Sequence, residues 1–120
     1  MKFAKKIIKI KEEIGMTFES FFATVKEKLD CADVRDIRGH VALEFQVRGE
    51  AKGMFFIEIT NGRIRIEPYN YHDRDVSFAA DADTYLAILN GELNPMIAFA
   101  TGRVKIYGDM QKAKLAVHLL

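Results

Sequence analysis

Asp83-Thr84-Tyr85-Leu86-Ala87-Ile88-Leu89-Asn90-Gly91-Glu92-Leu93-Asn94-Pro95-Met96-Ile97-Ala98-Phe99-Ala100-Thr101-Gly102-Arg103-Val104-Lys105-Ile106-Tyr107-Gly108-Asp109-Met110 is the stretch that decides the architecture. Asn94 before Pro95 is a helix start, because proline at the first helical position lacks only an N–H that has no partner there. Gly91 and Gly102 are the stops of two short apolar helices. Val104 and Ile106 mark a short strand, and Gly108-Asp109 opens a last helix whose apolar residues are Met110, Ala113, Leu115, Val117 and Leu119. Nothing in the stretch carries chemistry, yet most of its side chains are apolar.

Upstream the period is two. Val41, Leu43, Phe45 and Val47 alternate with Ala42, Glu44, Gln46 and Arg48, the pattern of a half-buried strand. Phe55, Ile57 and Ile59 form one face of a second strand. Asn61-Gly62 is a strong hairpin signal and leads into Arg63–Glu67, a third strand closed by Pro68. Tyr69–Asp75 is polar and turn-rich, and Val76, Phe78 and Ala80 read as a fourth strand. Asp81 or Asp83 caps the helix that runs to Asn90.

The beginning of the chain is helical. Phe3, Ile7, Ile10 and Ile14 predict an amphipathic helix within residues 1–14, and Gly15 stops it. Thr17 is the expected N-cap of a second helix with Phe18, Phe21, Phe22, Val25 and Leu29 on its apolar face. Met16 and Phe21 occupy the positions of a hydrophobic staple.

The late elements together, Gly91, Leu93-Asn94-Pro95, Ala98-Phe99, Gly102, Val104-Lys105-Ile106 and Gly108-Asp109-Met110, resemble the sterol-carrier-protein type 2 family of lipid-transfer domains over residues 17–120. The expected fold is α+β: a five-stranded, mostly antiparallel sheet with helices on one face, as one domain over residues 1–120. The resemblance implies a crossover before the fourth strand and an apolar tunnel between sheet and helices. From strand parity and helical spacing, the tunnel walls are expected to be Phe45, Phe55, Ile57 and Phe78 from the sheet. Tyr85, Leu89, Met96, Phe99, Met110 and Leu115 are the expected walls from the later helices. A fatty acid, fatty acyl-CoA, sterol or isoprenoid is the implied ligand, bound and transferred without catalysis. A protein-interaction module with a solid core is the alternative.

Composition bounds other roles. With 120 residues, 49% of them apolar, one domain with one core is expected. A net charge of +1 gives no global field toward nucleic acid. Cys31 is the single cysteine, which excludes an intrachain disulfide or a cysteine-based zinc site, and a packed or inert thiol is expected. His40, His72 and His118 show no metal-ligand spacing, so no metal, cofactor or catalytic residue is expected. A small enzyme using His72 with Asp73 or Asp75 is the further alternative, against an ordinary polar turn. The N-terminus does not read as a secretory signal, and a cytoplasmic location is expected. Lys5, Lys6 and Lys9 on the first helix suit docking on an anionic membrane, while its Ile stripe equally suits packing on the domain or on a partner. Met54 and Phe56 lie on the outer sheet face, where an exposed Phe suits a dimer contact or a cover.

Overall fold

The computed structural model describes residues 16–69 and 73–119. The expected first helix, with Lys5, Lys6 and Lys9, lies outside those residues, as does His72. Helix α1 is Phe18–Leu29. Strands β1 (His40–Arg48), β2 (Gly53–Thr60), β3 (Arg63–Glu67) and β4 (Val76–Asp81) follow. Helices α2 (Ala82–Leu89) and α3 (Pro95–Ala100), strand β5 (Lys105–Gly108) and helix α4 (Met110–Leu119) complete the chain. The fold is α+β, and the sheet order is β3-β2-β1-β4-β5.

β1, β2 and β3 form an antiparallel meander. Asn61 and Gly62 both have positive φ, 48° and 81°, as a tight hairpin turn that matches strand twist requires. The chain then crosses over and β4 joins β1 in parallel, with Leu43 opposite Val76 and Phe45 opposite Phe78. β5 returns antiparallel along β4. The expected mostly antiparallel sheet with one crossover is therefore present.

The helices take the starts that the sequence marks. Thr17 Oγ1 accepts the Ser20 N–H at 3.1 Å, and Asp81, rather than Asp83, accepts the Thr84 N–H at 2.8 Å. Asn94 Oδ1 accepts from Met96 N–H at 2.8 Å, with Pro95 at the first helical position. Asp109 Oδ1 accepts from Gln111 and Lys112 N–H at 2.9 and 3.2 Å. Each cap satisfies amides that a helix start would otherwise leave without a partner.

β4 and β5 are tied at one end. Asp109 N–H donates to the Asp75 carbonyl at 2.9 Å, and a Cβ on Gly108 (φ +114°) would meet that same oxygen at 2.5 Å. Only glycine allows this approach. The Asp75 carboxylate accepts from Ala42 N–H at 2.8 Å and from Lys112 Nζ at 2.9 Å, so it joins β1, β4 and α4. Burial alone would raise its pKa, but the Lys112 ammonium and the Ala42 N–H outweigh it and the net direction is down. The folded value then lies below the ordinary carboxylate value of about 3.9. The resulting stabilisation is present above that pH and is lost as pH falls through the folded value. Denaturant unfolding should show Asp75→Asn less stable than wild type at neutral pH, with the gap closing in acid. A gap that does not change with pH would contradict this role.

Three expectations are corrected. Val104 precedes β5 instead of belonging to it; it is buried, and its N–H donates to the Ala98 carbonyl at 3.1 Å. Phe56 is buried rather than exposed: Tyr69 packs edge-on against it at 5.4 Å and the Arg65 guanidinium lies 5.1 Å from its ring centroid. Cys31 is exposed, its thiol donating to the Lys28 carbonyl at 3.6 Å, so it is not packed in the core. The outer face is further closed by Glu44, only 2% exposed, which accepts from Ser77 Oγ at 3.2 Å and faces Arg74 at 3.4 Å. A buried carboxylate is tolerated only when paired in this way.

Candidate apolar binding site

The inner sheet face carries a ladder of rings. Phe55, Phe45 and Phe78 are direct cross-strand neighbours on β2, β1 and β4. Phe45 stacks on Phe55 at 4.7 Å and 5°, and on Phe78 at 4.9 Å and 13°. Cross-strand aromatic pairs of this kind hold the register and give a flat, rigid wall.

Opposite this wall α3 and α4 stand away from the sheet and leave a cavity of about 130 Å³. Phe45, Phe78 and Ile106 line it from the sheet, and Tyr85, Ile88 and Val104 line it from α2 and the residue before β5. Pro95, Met96 and Phe99 of α3 face Met110, Ala113, Ala116 and Val117 of α4. Met96 and Met110 are 57% and 46% exposed and form the open lip, while Ala98 anchors α3 in the core. Lys114 is the one charged lining residue. It is exposed and makes no ion pair among the described residues.

A second void of about 10 Å³ lies deeper, lined by Val25, Leu29, Phe45, Phe55, Ile57, Tyr85 and Leu89. Phe45 and Tyr85 border both spaces. Tyr85 stands edge-on to Phe45, 5.9 Å away at 76°, and donates its hydroxyl to the Gln46 carbonyl at 2.9 Å. Burial pushes its pKa well above the ordinary tyrosine range, so the phenol stays protonated.

The structure thus brings Phe45, Phe78, Tyr85, Met96, Phe99 and Met110 to one cavity. Phe55, Ile57 and Leu89 lie at the inner void, and half-buried Leu115 packs on the core and lines neither space. Among the described residues the two spaces do not join into a continuous tunnel. Sequence reasoning missed Ile88, Pro95, Val104 and Ile106, and on the last helix Ala113, Lys114, Ala116 and Val117. The signal for Ala113, Lys114 and Val117 was the i, i+3, i+4 and i+7 spacing that starts at Met110. Among the described residues no group of three His, Cys, Asp or Glu side chains could hold a metal ion. The Asp75 carboxylate accepts from Lys112 Nζ and the Ala42 N–H.

Fold and site define a small α+β domain built around an apolar cavity. Residues 18–120 match the SCP-2 sterol transfer family, and the chain belongs to that family. The hydroxysteroid dehydrogenase-like protein 2 of Xenopus tropicalis is 31% identical over 70 residues, which is 56% of this chain and 16% of the relative. Sterol carrier protein 2 of Arabidopsis thaliana is 25% identical over 96 residues, covering 75% of this chain and 78% of that protein. This chain therefore spans only a small part of the dehydrogenase-like relative. A double mutant of the sec-alkyl sulfatase PisA1 shares the fold with a TM-score of 0.71 at 21% identity, over 88% of this chain and 16% of that one. Palmitated SCP2L2 of Aedes aegypti does so with a TM-score of 0.59 at 19% identity, over 87% and 95%. No helix among the described residues is long and apolar enough to cross a membrane.

Proposed function

We propose that this domain is a non-catalytic carrier that takes the apolar chain of a lipid into the cavity between the Phe45–Phe78 wall and α3 and α4. The tail points inward and the head group stays at the lip beside Lys114. The observation that carries the reading is the cavity itself: open at one end and apolar on every side except for one rim cation. A bound chain would cover the apolar side chains that line this space of about 130 Å³ and remove them from water. Among the described residues every buried side-chain nitrogen and oxygen already has a hydrogen-bond partner, so recognition rests on apolar area.

Each buried methylene contributes about 0.8 kcal/mol. A long chain therefore supplies on the order of 10 kcal/mol before association costs, enough for micromolar binding without a specific polar contact. The flexible Met96 and Met110 side chains let the lip repack around different chains. The palmitated relative with the same fold is consistent with this reading. Organic extraction of the purified protein followed by mass spectrometry should recover lipid in stoichiometric amount. A lipid-free extract together with no saturable binding of added fatty acid would support the interaction module instead.

Lys114 should set the head-group preference. Lys114→Gln should weaken binding of a fatty acid about two- to fivefold, the size of an exposed ion pair. Binding of the matching fatty alcohol should hardly change. Equal losses for acid and alcohol in competition titrations would remove Lys114 from the site. Approach to a bilayer is assigned within this reading to Lys5, Lys6 and Lys9. Transfer from anionic vesicles that is insensitive to changing all three to Gln would contradict that assignment.

A further inference from the structure

Phe45 and Tyr85 line both the cavity at the lip and the inner void, so the two spaces share these rings as walls. Resting on the tail-inward reading above, we propose that Tyr85 is a chain-length ruler: the floor at which the lipid tail stops.

The ring is held from several sides. Its hydroxyl donates to the Gln46 carbonyl at 2.9 Å. Its edge meets Phe45 at 5.9 Å and Phe55 at 6.4 Å, and Phe21 lies 6.1 Å away on another side. Its helix is pinned at the start by the Asp81 cap. Phe45 cannot yield either, since it is clamped between Phe55 and Phe78 in the stacked ladder. A tail that reaches this pair meets a fixed floor. Moving Tyr85 would strip a buried hydroxyl of its acceptor, a step that buried polar groups resist.

Behind the floor the inner void is apolar throughout, lined by Val25, Leu29, Phe55, Ile57 and Leu89 besides the two rings. Its about 10 Å³ is at the lower limit for a single water, and it offers that water no polar partner except through Tyr85. The space is therefore suited to methylene groups. Taking the ring away would join it to the outer cavity and lengthen the channel along the Phe55–Phe45–Phe78 ladder. The expected wall residues Phe55, Ile57 and Leu89 would then touch ligand.

The test is the chain-length profile of binding, measured by calorimetry on lipid-stripped protein with octanoate, decanoate, laurate, myristate, palmitate and stearate below their micelle concentrations. In wild type, affinity should rise roughly fourfold per added methylene, the factor that burial of one methylene carries, and then stop rising at a definite length. In Tyr85→Ala the rise should continue for several more methylenes beyond the wild-type break. Tyr85→Phe keeps the ring and loses only the bond to Gln46. It should bind the chains beyond the break at least about threefold more tightly than wild type. If Tyr85→Ala does not fold by circular dichroism, the Tyr85→Phe profile decides alone. A profile superimposable on wild type in the folded variants overturns the ruler while leaving the carrier intact. Failure of every chain length to bind wild type overturns both.

Discussion

Phe45→Ala should cost about 3–5 kcal/mol of unfolding free energy, the range for removing a buried phenylalanine. The residue is 2% exposed and central to the only ring ladder among the described residues, stacked on both Phe55 and Phe78. Removing it deletes two stacking contacts and an edge contact to Tyr85. It also leaves Phe55 and Phe78 without the neighbour that fixes their rotamers. Against a total stability of about 5–15 kcal/mol that is a large fraction. For a domain of this size it corresponds to a fall in melting temperature of about 10–20 °C. Urea unfolding with lipid-stripped protein checks it. A loss under about 1 kcal/mol would mean that the ladder is decoration and that the core is held elsewhere.

The second large effect is on binding. Ala113 and Ala116 are nearly fully buried, yet both border the cavity, so the space exists because these side chains are small. Ala113→Leu should fill part of it. Affinity for a long-chain fatty acid should fall at least tenfold, about 1.4 kcal/mol or more. Stability without ligand should stay level or rise by up to about 1 kcal/mol, because filling a void removes part of its cost. This opposite movement of binding and stability separates a ligand cavity from a solid core. Parallel losses of both would show that position 113 is tightly packed and that the ligand, if any, sits elsewhere.

Much of the fold was legible because it rests on local chemistry. Asn61-Gly62, Asn94-Pro95, Asp109 and Thr17 each need a particular backbone or cap, and each does in the structure what its residue type dictates. Strand parity placed Phe45, Phe55 and Phe78 on one face for the same reason. The outer face was not legible. Ala42, Glu44 and Phe56 look solvent-facing by alternation, but they are covered by Arg74, Tyr69 and the central position of β1. Coverage of that kind comes from distant segments and leaves no local pattern.

The site was legible only in part, for two reasons. Large apolar residues are natural candidates for a lining, so Leu115 was expected there and the alanines of α4 were not. A cavity, however, forms where small side chains face a rigid wall, and Ala113 and Ala116 are those side chains. The break between outer cavity and inner void depends on Tyr85 reaching the Gln46 carbonyl, a contact across 39 residues that periodicity does not encode.

A lipid tail inside the cavity places its head at the lip. Isotope-edited NOE measurements on lipid-stripped protein saturated with labelled laurate test it most directly. NOEs are expected from the terminal methyl to the Phe45, Phe78 and Tyr85 rings, and from the methylenes beside the carboxylate to Met110 and Lys114. A terminal methyl beside Lys114, or saturable binding with no NOE to Phe45 or Phe78, would contradict it.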